Sequence, residues 1–549
     1  MTLRHLLEET QVLASTGPLD IDIAGIGYDS RTIRPGEAFF ALAGTRADGA
    51  AFVAQALAAG ATAVVGRGLE AAGVATAGGA ARVEVAEPRR ALAVAATRFY
   101  HEPSRQLAIV GVTGTNGKTT TTWLLESIFR AAGRTTGLIG TIGYRIGDRE
   151  RPAPFTTPEA PELQRLLREM VDAGVETVAM EVSSHAMVQR RAYGVAFDVV
   201  VFTNLTQDHL DYHHTMEAYL DAKLMLFDGR NGPAGDKLVT AVINVDDPAA
   251  ERVRAAAARG GRAVVGFGET RGAAVRIVRV EPRPDGLALT LDDHGVHAPF
   301  PLPLLGRHNA WNAAAAYAAA RALGIERPLA ERGRQRVAAI PGRLERVAAG
   351  QPFEVVVDYA HTPDALARAL GACREHTAGR VLLVFGCGGD RDRGKRPLMG
   401  RIAAQQSDAA WITSDNPRGE DPAAIAAEVA AGATRALPVV LDRREAIAAA
   451  LAAARPGDLV LIAGKGHETT QTIAGHVLPF DDRAVAAGLA FMRRSSVRRA
   501  APPPRCSRCR RWRRWRVATC ACARCRAPPR RARRGSGPGS TGSRSTPAP

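Results

Sequence analysis

Short apolar runs recur along the chain, and most are followed by a turn signal and then by an Ala-rich stretch with helical spacing. Leu107–Val112 is such a run. A Gly-rich loop and the helical segment Thr119–Ala132 follow it, which predicts the strand, loop and helix that open a nucleotide-binding sheet. The runs Thr177–Met180, Val199–Thr203 and Val239–Asn244 alternate with helical segments such as Pro161–Ala173, so the sheet is expected to be mostly parallel and covered by helices. Beyond the Pro341-Gly342 turn signal the pattern repeats in Val355–Tyr359, Val381–Phe385, Ala409–Thr413 and Leu459–Ala463, predicting a second doubly wound α/β unit. Ahead of both, Ala38–Leu42 predicts a strand and Ala51–Ala59 a helix, in a unit that ends near His101–Arg105. The expected fold is therefore α/β, with domains at residues 1–103, 104–339 and 340–493, the second built on a P-loop-type parallel sheet and the third Rossmann-like.

The pattern stops after Arg494. Residues 495–549 hold 16 Arg, no Lys and no acid, which accounts for all but one of the formal charges of +17, so the body is near neutral and its composition gives no nucleic-acid signal. Five of the seven Cys also lie in that tail, at imperfect zinc-module spacings, Cys506-x2-Cys509 and Cys520-x-Cys522-x2-Cys525; the body keeps Cys373 and Cys387, as suits a reducing compartment. The tail, assigned to residues 494–549, is expected to be disordered, and its Arg, Pro, Ala and Cys content is what a shifted reading frame in GC-rich coding sequence would give. Neither a secretory apolar core near Met1–Glu8 nor a membrane-spanning apolar run is present, so a cytoplasmic, monomeric protein without membrane partners is expected.

The loop Gly111-Val-Thr-Gly114-Thr115-Asn116-Gly117-Lys118-Thr119-Thr120 sits where a phosphate would meet a helix N-terminus. Its glycines allow backbone N–H groups to close on phosphate oxygens, Lys118 can reach terminal phosphates and Thr119 offers a hydroxyl to Mg2+. Val112 stands where the general P-loop pattern has its first Gly. Glu181 follows the next strand, and Asn204-Leu-Thr-Gln-Asp208-His209 the one after. That oxygen-rich company beside a triphosphate loop favours Mg2+ over a transition metal. Lys223, in Tyr219-Leu-Asp-Ala-Lys223, reads by itself as an ordinary helix lysine.

The Thr-Gly-Thr-Asn-Gly-Lys-Thr wording, with the later motifs in order, resembles the Mur ligase family over residues 1 to about 493. The resemblance implies a three-domain ATP-dependent amide ligase, ADP-forming, acting in cell-wall peptidoglycan synthesis through an acyl phosphate. It implies that Lys223 is carbamylated and joins Thr119, Glu181 and His209 as a Mg2+ ligand, with Lys118, Lys223 and His209 catalytic. Gly306-Arg-His308-Asn309 and Asp358-Tyr-Ala-His361 resemble segments that frame the nucleotide, Asn309 and Asp358 at adenine or ribose and Arg343 at the phosphates. Tyr28, Ser30 and the segment Thr45-Arg46-Ala47 resemble contacts to uridine diphosphate, although Thr45-Arg46 departs from the His-Gln of some relatives. Thr156, Thr157, Ser183, Gln189 and Arg191 match positions that hold a UDP-muramoyl dipeptide.

In the third unit, Gly386-Cys-Gly-Gly-Asp390-Arg391 and Ser414-Asp415-Asn416-Pro417-Arg418 each follow a strand, where open α/β sheets bind ligands. A forked Arg suits a substrate carboxylate, whereas solvation is the ordinary fate of a surface Arg. Asp415-Asn416-Pro417-Arg418 matches the members of the family that add meso-diaminopimelate, and the resemblance adds Gly464 and Glu468, the latter for the distal ammonium. A lysine-adding member and a folylpolyglutamate synthetase-like ligase are the alternatives; a P-loop GTPase or transport ATPase would leave the third unit's motifs unused.

Overall fold

The computed structural model describes residues 1–44, 48–69, 79–233, 235–335, 337 and 339–500. Among these residues three larger sheets and a two-stranded hairpin form, each larger sheet with its own apolar core.

The central sheet carries the loop Gly114–Lys118. Its parallel part runs, edge to edge, Ala263–Gly268, Thr240–Asn244, Val199–Phe202, Ala108–Thr113, Thr177–Glu181 and Thr136–Ile139. These strands are near-continuous apolar runs because helices bury both faces: Leu124, Leu125, Ile128 and Phe129 pack with Val110 and Val112 in one layer, and Leu163, Leu167 and Met170 with Ile109 and Val178 in the other. Ala108–Thr113 lies centrally, so the loop after it emerges at the carboxyl edge with the loops after Thr177–Glu181 and Val199–Phe202 on either side.

Val275–Arg283 joins Ala263–Gly268 over a short parallel stretch, and antiparallel strands then extend the sheet at both ends: Gly286–Asp293 and Val296–Leu302 on this side, Tyr144–Ile146 and Arg149–Arg151 on the other. The sequence pattern did not expose these strands. One face of Val275–Arg283 is solvated, and its arginines interrupt the apolar run.

The N-terminal sheet has the order Val12–Thr16, Ala81–Val85, Ala63–Gly66, Glu37–Phe40, Gly25–Gly27, parallel except for the first strand. In the third sheet Glu354–Asp358, Leu459–Ala463, Val381–Phe385 and Ala409–Ile412 are parallel, and the short Glu345–Arg346 adds an antiparallel edge. Thr470–Ile473 and His476–Pro479 form the hairpin.

The helix Asp482–Ala500 runs past Arg494, where the sequence pattern placed the end of ordered structure. Propagating an existing helix gains one hydrogen bond per residue fixed without repeating the cost of nucleation, so Ser495–Ala500 extends it without a periodic apolar face. The tail cysteines and the rest of the expected disordered segment lie outside the described residues, as do Thr45, Arg46 and Ala47.

Candidate active site

The helix Lys118–Ala131 begins at Gly117, which has φ +86° and no side chain to cap the first turn, so the leading amide groups of the helix meet the loop Thr115–Lys118 directly. A Cβ on Gly117 would stand 2.2 Å from Asn312 Oδ1, and one on Gly114 1.9 Å from Thr203 Oγ1, so both positions require glycine. Neighbouring loops brace the turn: Asn204 Oδ1 accepts from Asn116 N (2.9 Å), Thr203 Oγ1 donates to Asn116 O (2.6 Å) and Thr115 Oγ1 accepts from Thr206 N (3.0 Å). Lys118 Nζ donates to Gly114 O and Thr115 O, each at 2.9 Å, and burial pushes its ammonium below the ordinary lysine range, with Glu181 acting against that shift.

This loop forms one wall of a cavity of about 880 Å3. Thr115–Thr120, Thr156, Glu181, Ser183, His209, Asn309, Arg343 and Asp358, all singled out from sequence, line it together. Glu181 is 1% exposed and fixed by Thr141, whose N and Oγ1 donate to its two oxygens at 2.8 and 3.0 Å. His209 sits at φ +55° beside Asp208, and its ring stacks edge-on to His185 at 4.8 Å. Burial pushes His209 down to about 4 against the pull of Asp208, leaving a neutral imidazole at neutral pH, the form that ligates metals. Arg343 reaches from the third domain and donates to Thr119 Oγ1 (3.2 Å), its guanidinium 4.7 Å from the Tyr359 ring centre.

Asn309 and Asp358 line the cavity with their polar atoms already engaged. Asn309 bonds Leu305 O (2.7 Å) and Asn312 Nδ2 (2.8 Å), and Asp358 accepts from Leu344 N (2.7 Å) and Ala360 N (2.8 Å). Lys223 is not among the lining residues. It is 1% exposed, its Nζ 4.2 Å from the Tyr219 ring centre, and burial drives its amine well below the ordinary lysine range.

Sequence reasoning missed the residues that close the other side. Asp364, in the first turn of helix Pro363–His376, accepts from Asn116 Nδ2 (3.1 Å) and Thr206 Oγ1 (3.3 Å), tying the third domain to the phosphate loop. Arg368, Ala372 and Glu375 of that helix line the cavity, as do Asp246, Phe267 and Trp311. Helix-face spacing was the only signal available for them.

A second group leads away from the cavity toward the N-terminal sheet. Thr157 Oγ1 donates to Glu181 O (2.9 Å) and accepts from Ser183 N (3.1 Å); Arg191 donates to Thr157 O (3.0 Å), pairs with Glu159 (2.9 Å) and holds Gln189 Oε1 (2.6 Å). Tyr28 donates to Glu162 (3.3 Å), while Ser30 donates to Gln55 Oε1 (2.9 Å) inside its own domain.

The third group lies beyond Tyr359. Arg418, at φ +54°, donates to Gly389 O (2.8 Å); Asn416 Nδ2 donates to Glu468 Oε2 (2.8 Å); Gly464, at φ +119°, is the close neighbour that Asp415 requires, since a Cβ there would meet Asp415 Oδ2 at 2.5 Å. Arg391 is exposed and bonds Asp390 O (2.9 Å), and Asp390 joins the two arginine loops by accepting from Gly419 N (3.1 Å) and donating its N–H to Glu420 (2.6 Å). Beneath them Arg396, 0% exposed, pairs with Glu420 and Glu428, each at 2.8 Å. Asp415, Asn416, Pro417, Arg418, Gly464 and Glu468 are thus brought together, with Arg391 exposed at the edge beside Asp390, and none of them lines the large cavity.

Three family models match the chain: Mur ligase family, catalytic domain, at residues 22–100; Mur ligase middle domain at 112–320; and Mur ligase, glutamate ligase domain, at 342–466. The chain is 45% identical over 478 residues to the UDP-N-acetylmuramoyl-L-alanyl-D-glutamate--2,6-diaminopimelate ligase of Geobacillus thermodenitrificans (strain NG80-2), covering 86% of this chain and 96% of that one. Its identity to the ligase of the same name from Syntrophomonas wolfei is 43% over 494 residues, 89% and 99% of the two chains. A solved structure of a ligase of that name superposes with a TM-score of 0.65 at 31% identity, over 90% of this chain and 99% of the other.

Proposed function

The chain belongs to the Mur ligase family of ATP-dependent, ADP-forming amide ligases, and from that premise we propose that it joins meso-2,6-diaminopimelate to UDP-N-acetylmuramoyl-L-alanyl-D-glutamate in peptidoglycan precursor synthesis. The observation that carries the substrate is the third-domain group: two arginines, Arg391 and Arg418, on loops tied by Asp390, with the Glu468 carboxylate bonded to Asn416 on the Arg418 loop. Diaminopimelate has a distal carboxylate that lysine lacks, and Arg offers it a forked, charged donor.

The geometry supports the chemistry stepwise. A substrate carboxylate attacks the γ-phosphorus of ATP, ADP leaves, and an acyl phosphate forms; the incoming amine then attacks the acyl carbon and inorganic phosphate departs. Lys118 and the helix N-terminus behind Gly117 neutralise charge on the transferring phosphate, and Arg343 completes the ring of cations from the third domain. The contact of Asp364 with Asn116 and Thr206 holds the two domains over the acyl phosphate, which places the amine and excludes water from a hydrolysable intermediate.

Thr119, Glu181 and His209 line the cavity beside the phosphate loop, and this mainly oxygen donor set fits Mg2+, which they would hold and which would supply charge neutralisation to the phosphates. Lys223 joins them if carbamylated. Only a neutral amine adds CO2, and its burial favours that form. The wall from Thr157 through Ser183, Gln189 and Arg191 toward Tyr28 is the path we assign to the UDP-muramoyl dipeptide, with Ser30 at its uridine end. Among the described residues no helix is long and apolar enough to cross a membrane, and Cys373 and Cys387 are free and buried, as suits a reducing compartment such as the cytoplasm.

The test is ATP-dependent product formation with UDP-N-acetylmuramoyl-L-alanyl-D-glutamate, offering meso-diaminopimelate and L-lysine in parallel to the native chain and to Arg418→Lys. The native chain is expected to use diaminopimelate selectively, and the variant to lose roughly tenfold to a hundredfold in kcat/KM for it. Preferential use of lysine by the native chain overturns the substrate assignment and leaves the ligase reading intact.

A further inference from the structure

Between Gly464 and Gly466 stands a lysine to which no role has been given. Lys465 is 0% exposed, on the loop that follows the strand Leu459–Ala463. Its Nζ donates to Asn416 Oδ1 and to Glu468 Oε2, both at 3.1 Å. Burying an ammonium is costly unless its acceptors are fixed, and here they are: Thr472 N donates to the same Asn416 Oδ1 (3.0 Å), and Asn416 Nδ2 to the same Glu468 Oε2 (2.8 Å).

The arrangement is asymmetric at Glu468. Oε2 is held by two donors, one of them charged, while Oε1 takes none among the described residues and the side chain keeps 30% of its exposure. Arg418 is pinned to the same frame, since its N–H donates to Thr472 O (3.0 Å) and its carbonyl accepts from Ala474 N (2.8 Å). Lys465 therefore sits under the point where the Asn416, Arg418 and Glu468 loops meet.

We propose that Lys465 is a positioning residue for amino-acid specificity: it fixes the Glu468 carboxylate so that Oε1 points to a substrate ammonium, and it orders Asn416 and, through the hairpin, Arg418 at the matching distance for a carboxylate. This rests on the reading of Glu468 as the ammonium acceptor. A lysine that only filled space would make no demand on which oxygen of Glu468 is free; one that orients Glu468 must act through it.

The experiment compares the full chain with Lys465→Met, Glu468→Gln and the double variant, measuring kcat, the KM values for meso-diaminopimelate, ATP and the UDP-dipeptide, and the thermal midpoint. Met keeps the length and burial of the stem without the charge. Lys465→Met is expected to raise the diaminopimelate KM by about tenfold or more, the loss of a charged hydrogen bond, while the other two KM values stay within about twofold. Glu468→Gln is expected to do the same, and the double variant to fall well short of the product of the two single effects, because much of the lysine's action runs through that carboxylate. An unchanged diaminopimelate KM in Lys465→Met beside a raised one in Glu468→Gln overturns the proposal. So does a parallel rise in all three KM values with a fallen midpoint, which marks a structural tie only. If Glu468→Gln is itself silent, the ammonium reading fails first and takes the proposal with it. Should Lys465→Met not fold, Lys465→Arg, which keeps the charge and moves the donors, must still raise the diaminopimelate KM alone; unchanged values there overturn it as well.

Discussion

Lys118, in the nucleotide loop, is held by two backbone carbonyls, whereas Arg443, beneath the third-domain group, is held by Asp482, a carboxylate as buried as itself, both 0% exposed, through two hydrogen bonds of 2.7 Å. Arg443 also donates to Ala463 O (3.0 Å) and Ser414 O (3.4 Å), at the ends of two strands whose loops carry Gly464 and Asp415. The cation of the first region answers to a ligand, and the cation of the second answers to the fold. Backbone amides and glycines shape the nucleotide cradle, so its charge is available for chemistry. Side chains from several loops shape the third-domain group, so its charges are mutually committed, and Arg391 and Arg418, held by backbone carbonyls, are the ones we propose for the substrate.

The largest effect that tests this contrast is Lys118→Ala. It is expected to lower kcat by about a thousandfold or more, since a cation at the transferring phosphate is lost, while the thermal midpoint moves by no more than about 2 °C. Steady-state kinetics and a melting curve on the same preparation decide it; a large drop in midpoint would mean that the cradle, too, depends on its cation to fold.

This division also governs what was legible in the sequence. The cradle is contiguous from Gly114 to Thr120, and its chemistry resides in the backbone, so residue order alone places it between a strand and a helix. Val381–Phe385 and Leu459–Ala463 were legible to the residue, because strands buried on both faces read as unbroken apolar runs. The extension through Val275–Leu302 was not; in its first strand, Val275–Arg283, Arg and Glu break the run. The amino-acid group was legible only through resemblance, because Asp390, Asn416, Gly464 and Glu468 come from separate loops and meet in space. Lys465 could be quoted as a letter of its motif, but nothing in a sequence says that a lysine is 0% exposed.

Arg443→Met tests the other side. Removing one partner of a fully buried pair strands the Asp482 charge, which costs about 3–5 kcal/mol of stability. Denaturant unfolding is expected to show that loss, and Arg443→Met combined with Asp482→Leu to recover much of it, because the double variant leaves no unpaired charge. A single variant as stable as the native chain would remove the distinction between the two regions.

The smallest effect is expected at Gly117, and it asks whether the cradle depends on its backbone as the comparison requires. At φ +86° an Ala is strained by about 1–2 kcal/mol, and its Cβ would meet Asn312 Oδ1 at 2.2 Å. Asn312 cannot swing away freely, because its Nδ2 is bonded to Asn309 Oδ1 (2.8 Å) and Asn309 in turn to Leu305 O (2.7 Å). The strain is therefore expected to fall on the loop and on the first amides of the helix, weakening ATP binding while the diaminopimelate KM holds. Calorimetric titration of Gly117→Ala with ATP reads this directly. If Asn312→Ala in the same background restores ATP affinity, the Asn309–Asn312 pair is the brace that gives the cradle its shape; if affinity stays low, the positive φ alone sets the requirement for glycine.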